Sequence, residues 1–339
     1  MTEVKKVIIF SHENDIDGLG SIILGKIAYG DIDYVLASNV NILEAKFREL
    51  LESGSLYQYD RIYVTDLALY NPALEMVSRD SVLSKKVLVF DHHKSAINEG
   101  CDKYAFTTII ESDDNGKKRC GTDLFYEYLY SNGLISKTPA LDEFVELTRL
   151  EDTWEWKNAG EQGQKAHDIA ILFNAIGIEQ YIERMYTRLC ISPPKFDLTD
   201  EENKLVLTKK NEYLALLQKI WSDAEFFKDE LNNDFAAVFA SYEVRNELGE
   251  YVRGLNINNL KYLVLIALEK GAFGQKSYRA IANGFDVGKI AEAHGGNGHP
   301  AAASVNITEE QKKFALVLRK TSNRESIEYL VNSSYAEKK

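Results

Sequence analysis

Short apolar runs alternate with amphipathic segments over the first 110 residues of the chain. Runs of β-branched and aromatic residues predict strands at 7–11, 33–37, 61–66, 86–90 and 105–110. Apolar residues at helical spacing predict helices at 18–29, 41–53 and 71–80. Strands that alternate with helices are typical of a doubly wound, mainly parallel sheet, so we expect an α/β fold.

The rest of the chain is predicted to hold helices and then a second, smaller α/β unit. Helical patterns cover 121–190, with Thr122 as the expected cap of one helix and a second helix at about 140–151. A charge-rich helical segment follows, and strand-like runs return at 235–240, 262–267 and 277–281, before a glycine-rich turn at 295–298. We therefore expect a first domain at 1–190, a helical linker at 191–234 and a second domain at 235–332.

Composition narrows the class of protein. Of the 339 residues, 45% are hydrophobic and 27% are charged, which is ordinary for a soluble globular protein. No apolar run is long enough to span a bilayer, and Met1–Lys6 lacks the apolar region of a secretory signal, so we expect a cytoplasmic protein without a membrane partner. The net charge of −12 argues against a binder of duplex DNA but leaves short phosphate esters open. The oligomeric state stays open, and a homodimer is compatible with the sequence.

Three predicted strands end on polar side chains that can bind metals. The run Val87–Phe90 leads into Asp91-His92-His93. The run 7–10 leads into His12, Asp15, Asp17 and Gly18, and the run 62–65 leads into Asp66. Because the carboxyl ends of parallel strands meet at one edge of a sheet, these side chains are expected to converge. A metal centre is therefore the first hypothesis.

The ligand types and their number fit two metal ions. Two ions about 3.5–4 Å apart need about six or seven ligand positions, with one carboxylate often bridging. Carboxylates with imidazole suit Mn, Fe, Mg or Zn. The candidate ligands are His12, Asp15, Asp17, Asp66, His92 and Asp152. For Asp152 the alternative is a solvated charge at a helix end, with Asp142 as a competing candidate, and the neighbouring Trp154 and Trp156 are expected to pack rather than to stack on bases.

These motifs resemble those of the DHH phosphoesterase superfamily, which is named for the triplet that stands here as Asp91-His92-His93. The segment from His12 to Gly18 is similar to the family's first motif, and Asp66 and Asp152 are similar to its later aspartates. The segment 295–304 resembles the glycine-rich signature of the DHH-associated C-terminal domain, with Asn297 and Ser304 in place of two glycines. Ser277-Tyr278-Arg279 is similar to that domain's Ser–x–Arg element.

The resemblance implies roles for these residues. His12, Asp15 and Asp66 would hold one metal ion, and Asp17, Asp66, His92 and Asp152 the other, with Asp66 as the bridge; manganese is the metal implied. His93 would face the scissile phosphate, and its alternative role is a hydrogen-bond partner of a metal ligand. The second domain would bind the substrate through five residues: Arg279, Gly295, Gly296, Gly298 and His299.

The function that follows from the resemblance is metal-dependent phosphodiester hydrolysis of short oligoribonucleotides or linear dinucleotides to mononucleotides, as in the nanoRNase branch. A cyclic dinucleotide phosphodiesterase and a RecJ-like single-strand exonuclease are the alternatives within the same chemistry. A nucleotide-binding regulatory protein on the same fold is the alternative without catalysis. The absence of a long basic stretch argues against the RecJ-like exonuclease, and the acidic net charge favours short substrates.

Overall fold

Five parallel strands form the sheet of the N-terminal part of the chain, as the alternating pattern predicts. The structure is a computed structural model that describes residues 6–191, 194–269 and 274–334. The strands are Val7–His12 (β1), Asp33–Ala37 (β2), Arg61–Thr65 (β3), Val87–Asp91 (β4) and Thr107–Ile109 (β5). Their order is β2-β1-β3-β4-β5, and all neighbours pair in parallel. The predicted doubly wound sheet is confirmed.

Helices cover both faces of this sheet because its strands are apolar on both sides. In β1, Ile9 packs in one hydrophobic cluster and Ile8 and Phe10 pack in another. The period of two in the strand sends these side chains to opposite faces. The helices of this region are Ile16–Tyr29 (α1), Val40–Glu52 (α2), Ala73–Arg79 (α3), Lys94–Asn98 (α4), Gly121–Ser131 (α5), Pro139–Asp152 (α6), Gly160–Ile176 (α7), Ile178–Cys190 (α8) and Asp200–Ser222 (α9).

The chain divides into two compact units, Met1–Lys209 and Lys210–Lys339. In the segment 191–234, interpreted from sequence as a helical linker, α9 is followed by the strand Glu225–Lys228 (β6). The sequence gives little sign of this strand, because its two apolar residues, Phe226 and Phe227, are adjacent and are flanked by charged residues. It pairs in antiparallel fashion with the next strand, Asp234–Phe239 (β7).

A six-stranded sheet forms the second unit. Its remaining strands are Leu260–Ala267 (β8), Gln275–Ala280 (β9), Asn297–His299 (β10) and Ala302–Asn306 (β11). The order is β10-β11-β9-β8-β7-β6, and only the β7–β8 pair is parallel among the described residues. Its helices are Arg245–Gly254 (α10), Val287–Ala293 (α11), Glu309–Arg319 (α12) and Asn323–Val331 (α13). Within the described ranges, no helix has the length and apolar character needed to cross a membrane.

Candidate metal centre

The N-terminal sheet offers its binding edge where the strand order changes direction. From β1 the chain moves outward to β2, and it then returns to β3 on the other side of β1. In open α/β sheets ligands bind at the carboxyl ends of the strands at such a switch point. His12 is the last residue of β1, Asp66 directly follows β3, and Asp91 is the last residue of β4. The topology therefore places the predicted side chains at the expected edge.

The structure brings all six candidate ligands together in two groups that share one carboxylate. Each group offers ligand atoms that lie within 4.8 Å of one another. The first group is His12, Asp15 and Asp66, and the second is Asp17, Asp66, His92 and Asp152. Asp66 belongs to both groups, as a bridging carboxylate must.

Asp15 and His12 form the more open side of the cluster. Asp15 is the N-cap of α1 and accepts a hydrogen bond from the Gly18 N–H at 3.1 Å, as an aspartate at a helix start commonly does. His12 Nδ1 lies 2.6 Å from Asp15 Oδ2 and 3.6 Å from Asp66 Oδ2. His12 Nε2 lies 3.3 Å from both the Ser38 carbonyl oxygen and Asn14 Nδ2, and Nδ1 faces the carboxylates.

Asp17 is fully buried and is held by the start of α5. Its two carboxylate oxygens accept hydrogen bonds from the Gly121 and Thr122 N–H groups at 2.6 and 2.7 Å. These N–H groups have no partner within their own helix, so the carboxylate satisfies them and meets the positive end of the helix dipole. The prediction that Thr122 caps α5 is wrong: the cap position is Cys120, and Thr122 lies inside the first turn. Asp17, distant in sequence, supplies the acceptor that Thr122 was expected to provide.

Asp66 has a left-handed backbone, with φ of 59°. Its N–H donates to the Phe90 carbonyl oxygen at 2.9 Å, so the residue stays tied to β4 after β3 has ended. The first residue of α5 packs directly on it: a Cβ at Gly121 would lie 2.7 Å from the Asp66 N. Left-handed backbone at a residue other than glycine is uncommon and aspartate tolerates it better than most. Tertiary packing thus fixes the shared carboxylate.

His92 lies at the centre of the second group. Its Nε2 is 3.4 Å from Asp66 Oδ1, 3.4 Å from Asp152 Oδ2 and 3.8 Å from Asp17 Oδ2. Asp152 is the last residue of α6, and its carboxylate belongs to the second group. Its competitor Asp142 instead accepts a hydrogen bond from the Tyr126 hydroxyl.

The atoms that face the middle of the cluster have the properties of metal ligands. Among the described residues, Asp66 Oδ2, His92 Nε2 and Asp152 Oδ2 are buried and have no hydrogen-bond partner. A buried polar atom without a partner is costly, and a cation is the partner that several converging acceptors share. Carboxylate oxygens with imidazole nitrogen match divalent ions such as Mn, Fe, Mg or Zn. The residues present therefore fit a divalent metal centre.

The electrostatics of the cluster point the same way. Burial and the neighbouring charges of Asp17 and Asp15 raise the pKa of Asp66 well above its usual value. Burial and the charge of Asp17 also raise the pKa of Asp152. Burial opposes protonation of His12, but its hydrogen bond to Asp15 and the negative charges of Asp15 and Asp66 outweigh this and raise the His12 pKa to about 10. Negative charge is thus crowded into a space with little water, where a divalent cation stabilises it.

Asp91 has a role that the sequence interpretation did not assign. His93 Nδ1 lies 2.7 Å from Asp91 Oδ1, and the His93 side chain is 46% exposed. The buried Asp91 carboxylate therefore orients the ring and leaves Nε2 on its free side. The sequence signal for this role is an aspartate at the end of a strand, two residues before a histidine.

The two tryptophans near Asp152 differ in their surroundings. Trp156 stacks on His167 with ring centroids 4.0 Å apart, which confirms the expectation that it packs. Trp154 is 51% exposed, so the same expectation is wrong for Trp154. The backbone at Trp154 turns left-handed after α6 ends, with φ of 62°, and this takes its side chain out of the helical packing pattern.

The predicted substrate-binding residues lie in the second unit. Arg279, on β9, donates to the Tyr278 carbonyl oxygen and to Asn246 Oδ1 at 2.8 and 2.9 Å, and its Nε has no partner among the described residues. Burial and the charge of Arg245 lower the pKa of Arg279. His299 is exposed at the end of β10.

The glycine-rich stretch forms part of a β-hairpin where the sequence predicted a turn. Asn297–His299 pairs with Ala302–Ser304, and Gly295 precedes this strand. A Cβ at Gly296 would lie 2.1 Å from the Ser304 carbonyl oxygen, and one at Gly298 would lie 2.3 Å from Ala303 Cα. Backbone contact with β11 thus requires glycine at both positions.

Solved structures with the same fold contain a DHH domain. The chain aligns over 98% of its length with 88% of the DHH domain of a protein assigned to a family of ribosomal proteins, at TM-score 0.59 and 13% identity. It also aligns over 95% of its length with all of the pGpG-specific phosphodiesterase PggH of Vibrio cholerae, at TM-score 0.51 and 13% identity. The fold therefore places the chain in the class of proteins with a DHH domain.

Sequence comparison gives a nearer relative within this class. No protein-family model matches the chain. The chain is 30% identical over 306 residues to oligoribonuclease NrnB of Bacillus subtilis, an alignment that covers 89% of this chain and 73% of that protein. The chain therefore belongs to the family of DHH phosphodiesterases that includes NrnB.

Proposed function

We propose that this protein hydrolyses short oligoribonucleotides or linear dinucleotides to mononucleotides with the help of two manganese ions. The similarity to an oligoribonuclease supports the substrate class. The observation that carries the proposal is the pair of ligand groups joined by Asp66. Such a pair is the arrangement that two-metal phosphodiester hydrolysis requires.

Seven ligand positions are available to the two ions, with Asp66 counted for both. His12, Asp15 and Asp66 would hold one ion, and Asp17, Asp66, His92 and Asp152 would hold the other. Manganese accepts carboxylate oxygen and imidazole nitrogen. When bound, two such ions lower the pKa of a water molecule and stabilise the charge that develops on the phosphoryl oxygens.

We propose that His93 acts on the substrate itself. Asp91 accepts the hydrogen bond from His93 Nδ1–H and stabilises the ring when it is protonated. The exposed Nε2 can then donate a proton or a hydrogen bond to a phosphate or leaving-group oxygen. Asp91 acts through His93 and is therefore a positioning residue.

A cysteine nucleophile does not fit the site. Cys120, next to the start of α5, is buried, and burial and the charge of Asp17 raise its pKa well above the usual value. A thiol with a raised pKa is a poor nucleophile because the thiolate is the reactive form. This supports attack by water on the phosphorus.

The net charge of the chain favours short substrates, and the second unit carries the residues that we propose bind them. The net charge of −12 disfavours long nucleic acid, whose binding depends on many phosphate contacts. We propose that Arg279 and His299 bind the substrate and that the hairpin that carries Gly295, Gly296 and Gly298 presents His299. The free thiols at Cys101, Cys120 and Cys190 support a reducing cytoplasm as its location.

The test is a comparison of substrates at equal concentration with manganese present. RNA and DNA of two, three, five and twenty nucleotides and cyclic di-AMP should be offered to the wild-type protein, with His92→Ala as the inactive control. We expect the highest kcat/KM with the shortest linear RNA. Preferential hydrolysis of the 20-mers would favour the exonuclease alternative, and preferential hydrolysis of cyclic di-AMP would favour the cyclic one. Manganese-dependent binding without hydrolysis of any substrate would contradict catalysis.

A further inference from the structure

Trp154 follows the candidate ligand Asp152 by two residues, and its large aromatic side chain is exposed to solvent. It is 51% exposed, and its backbone has φ of 62°. A bulky residue in this region of backbone space is strained, and such strain persists where the surrounding structure imposes it. Neither packing nor backbone preference therefore accounts for a tryptophan at this position.

The segment around Trp154 is anchored on both sides. The Trp154 N–H donates to the Glu151 carbonyl oxygen at 3.1 Å, and the Thr153 hydroxyl donates to the Arg149 carbonyl oxygen at 2.8 Å. Arg149 also bonds Glu155 at 2.6 Å. These contacts hold the chain before and after the tryptophan, so the position of the Trp154 backbone relative to Asp152 is set in advance of binding.

Contacts on the far side of the segment fix it against α7. A Cβ at Gly163 would lie 1.8 Å from the Trp156 carbonyl oxygen, so the helix backbone approaches the segment closely. Trp156 is covered by His167, as described above. Of the two tryptophans, Trp154 is exposed and Trp156 is half-buried.

A cation accompanies the exposed ring. Lys157 Nζ lies 4.9 Å from the centroid of the Trp154 ring. An aromatic ring beside a positive charge is the combination with which proteins bind single-stranded nucleotides, the ring stacking on the base and the cation attracting the phosphate. Stacking needs no particular base, because every base has an aromatic face.

We propose that Trp154 stacks on a nucleobase of the substrate and that Lys157 attracts the adjoining phosphate. This inference rests on the proposed function and deepens it: the protein favours phosphodiesters that carry a base over those that carry none. Trp154 is thus a specificity-determining residue whose ring aligns the nucleotide beside the metal centre.

The test compares a dinucleotide with matched dinucleotides in which the 5′ or the 3′ base is replaced by hydrogen. Stacking is worth about 1–3 kcal/mol per base, so we expect Trp154→Ala to raise KM for the complete dinucleotide by about 5- to 150-fold. For one of the two abasic substrates the substitution should have little effect, and this identifies the base that stacks. Trp154→Phe should have a KM close to that of the wild-type protein.

Tyr130 provides the matched control. It is 47% exposed, and Lys137 Nζ lies 4.5 Å from its ring centroid, but it lies at the end of α5 that is distant from the metal centre. Tyr130→Ala should leave KM unchanged for every substrate. An equal loss for complete and abasic substrates in Trp154→Ala, or no loss at all, would overturn the stacking role. Failure of the wild-type protein to hydrolyse any of these substrates would overturn the proposed function as well.

A binding measurement separates stacking from turnover. The chain has three tryptophans, at 154, 156 and 221. Trp156→Phe with Trp221→Phe leaves Trp154 as the sole indole, and His92→Ala is added to prevent hydrolysis. Addition of the complete dinucleotide should quench the fluorescence, and the abasic dinucleotide that lacks the stacking base should not. Equal quenching by both would count against stacking.

Discussion

Gly121 offers the sharpest test of how the metal centre is held in place. A Cβ at this first residue of α5 would lie 2.7 Å from the Asp66 N and 2.8 Å from its Cα and Cβ. Ordinary contacts between such atoms are about 3.5 Å or longer, so Gly121→Ala requires α5 and Asp66 to separate by about 0.8 Å. Because the Gly121 N–H also donates to Asp17, the shift displaces carboxylates of both ligand groups.

The expected result is a large loss of activity in a folded protein. A displacement of about 1 Å in a catalytic arrangement costs about 100-fold in rate, which corresponds to about 2.7 kcal/mol of transition-state stabilisation. Helix propensity alone favours alanine over glycine by about 1 kcal/mol. A loss of activity would therefore reflect the contact with Asp66 and not a weaker helix.

The measurement is manganese-dependent hydrolysis of bis-p-nitrophenyl phosphate and of a dinucleotide, with thermal unfolding recorded in parallel. Gly25→Ala is the control, since its Cβ would lie 2.2 Å from Ile9 Cδ1, the end of a side chain in the core. It should lower the unfolding temperature, since overpacking costs about 1–3 kcal/mol, and retain near wild-type activity. A folded Gly121→Ala protein with wild-type kcat/KM would refute the argument that this contact positions Asp66.

Three further predictions address the metal ions, the positioned histidine and the second unit. Chelation of metal should lower the unfolding temperature. Manganese at a hundred times its Kd should raise the unfolding temperature by about 5–10 °C, because binding at this concentration stabilises the folded protein by about 2.7 kcal/mol. A shift that persists in Asp66→Asn would contradict binding at the cluster. Asp91→Asn should lower kcat about 100-fold by loosening His93 while the manganese-induced shift persists, and an unchanged kcat would exclude the positioning role. Arg279→Ala and His299→Ala should each raise KM with kcat little changed, and an unchanged KM would show that neither binds substrate.

Local pattern was enough to predict the sheet of the first unit and the identity of the clustered side chains. Strands β1 to β4 follow apolar runs, because burial on both faces of a parallel sheet requires apolar residues at successive positions. Polar residues at the ends of those runs had to lie at one edge once the strands were parallel. That argument found His12, Asp66 and His92 from the printed sequence.

Sequence reasoning failed where a partner lies far along the chain. Thr122 fits the local rule for a helix cap, but the free N–H groups of α5 are satisfied by Asp17, 104 and 105 residues away. The hairpin at Asn297–His299 depends on a partner strand whose short run of alanines gives little strand signal. The exposure of Trp154 follows from a left-handed backbone at the end of α6, which no periodic pattern records.

The sequence by itself determined which chemical groups are present and which strands carry them to a common edge, because these follow from residue type and from the periodicity of burial. Only the tertiary structure decided which atoms meet. The left-handed backbone at Asp66, the close approach of Gly121 and the hydrogen bonds that hold Asp17 depend on elements that are distant along the chain. A local pattern encodes the environment of a side chain, whereas the distance between two carboxylates is fixed by the packing of the helices and strands that carry them.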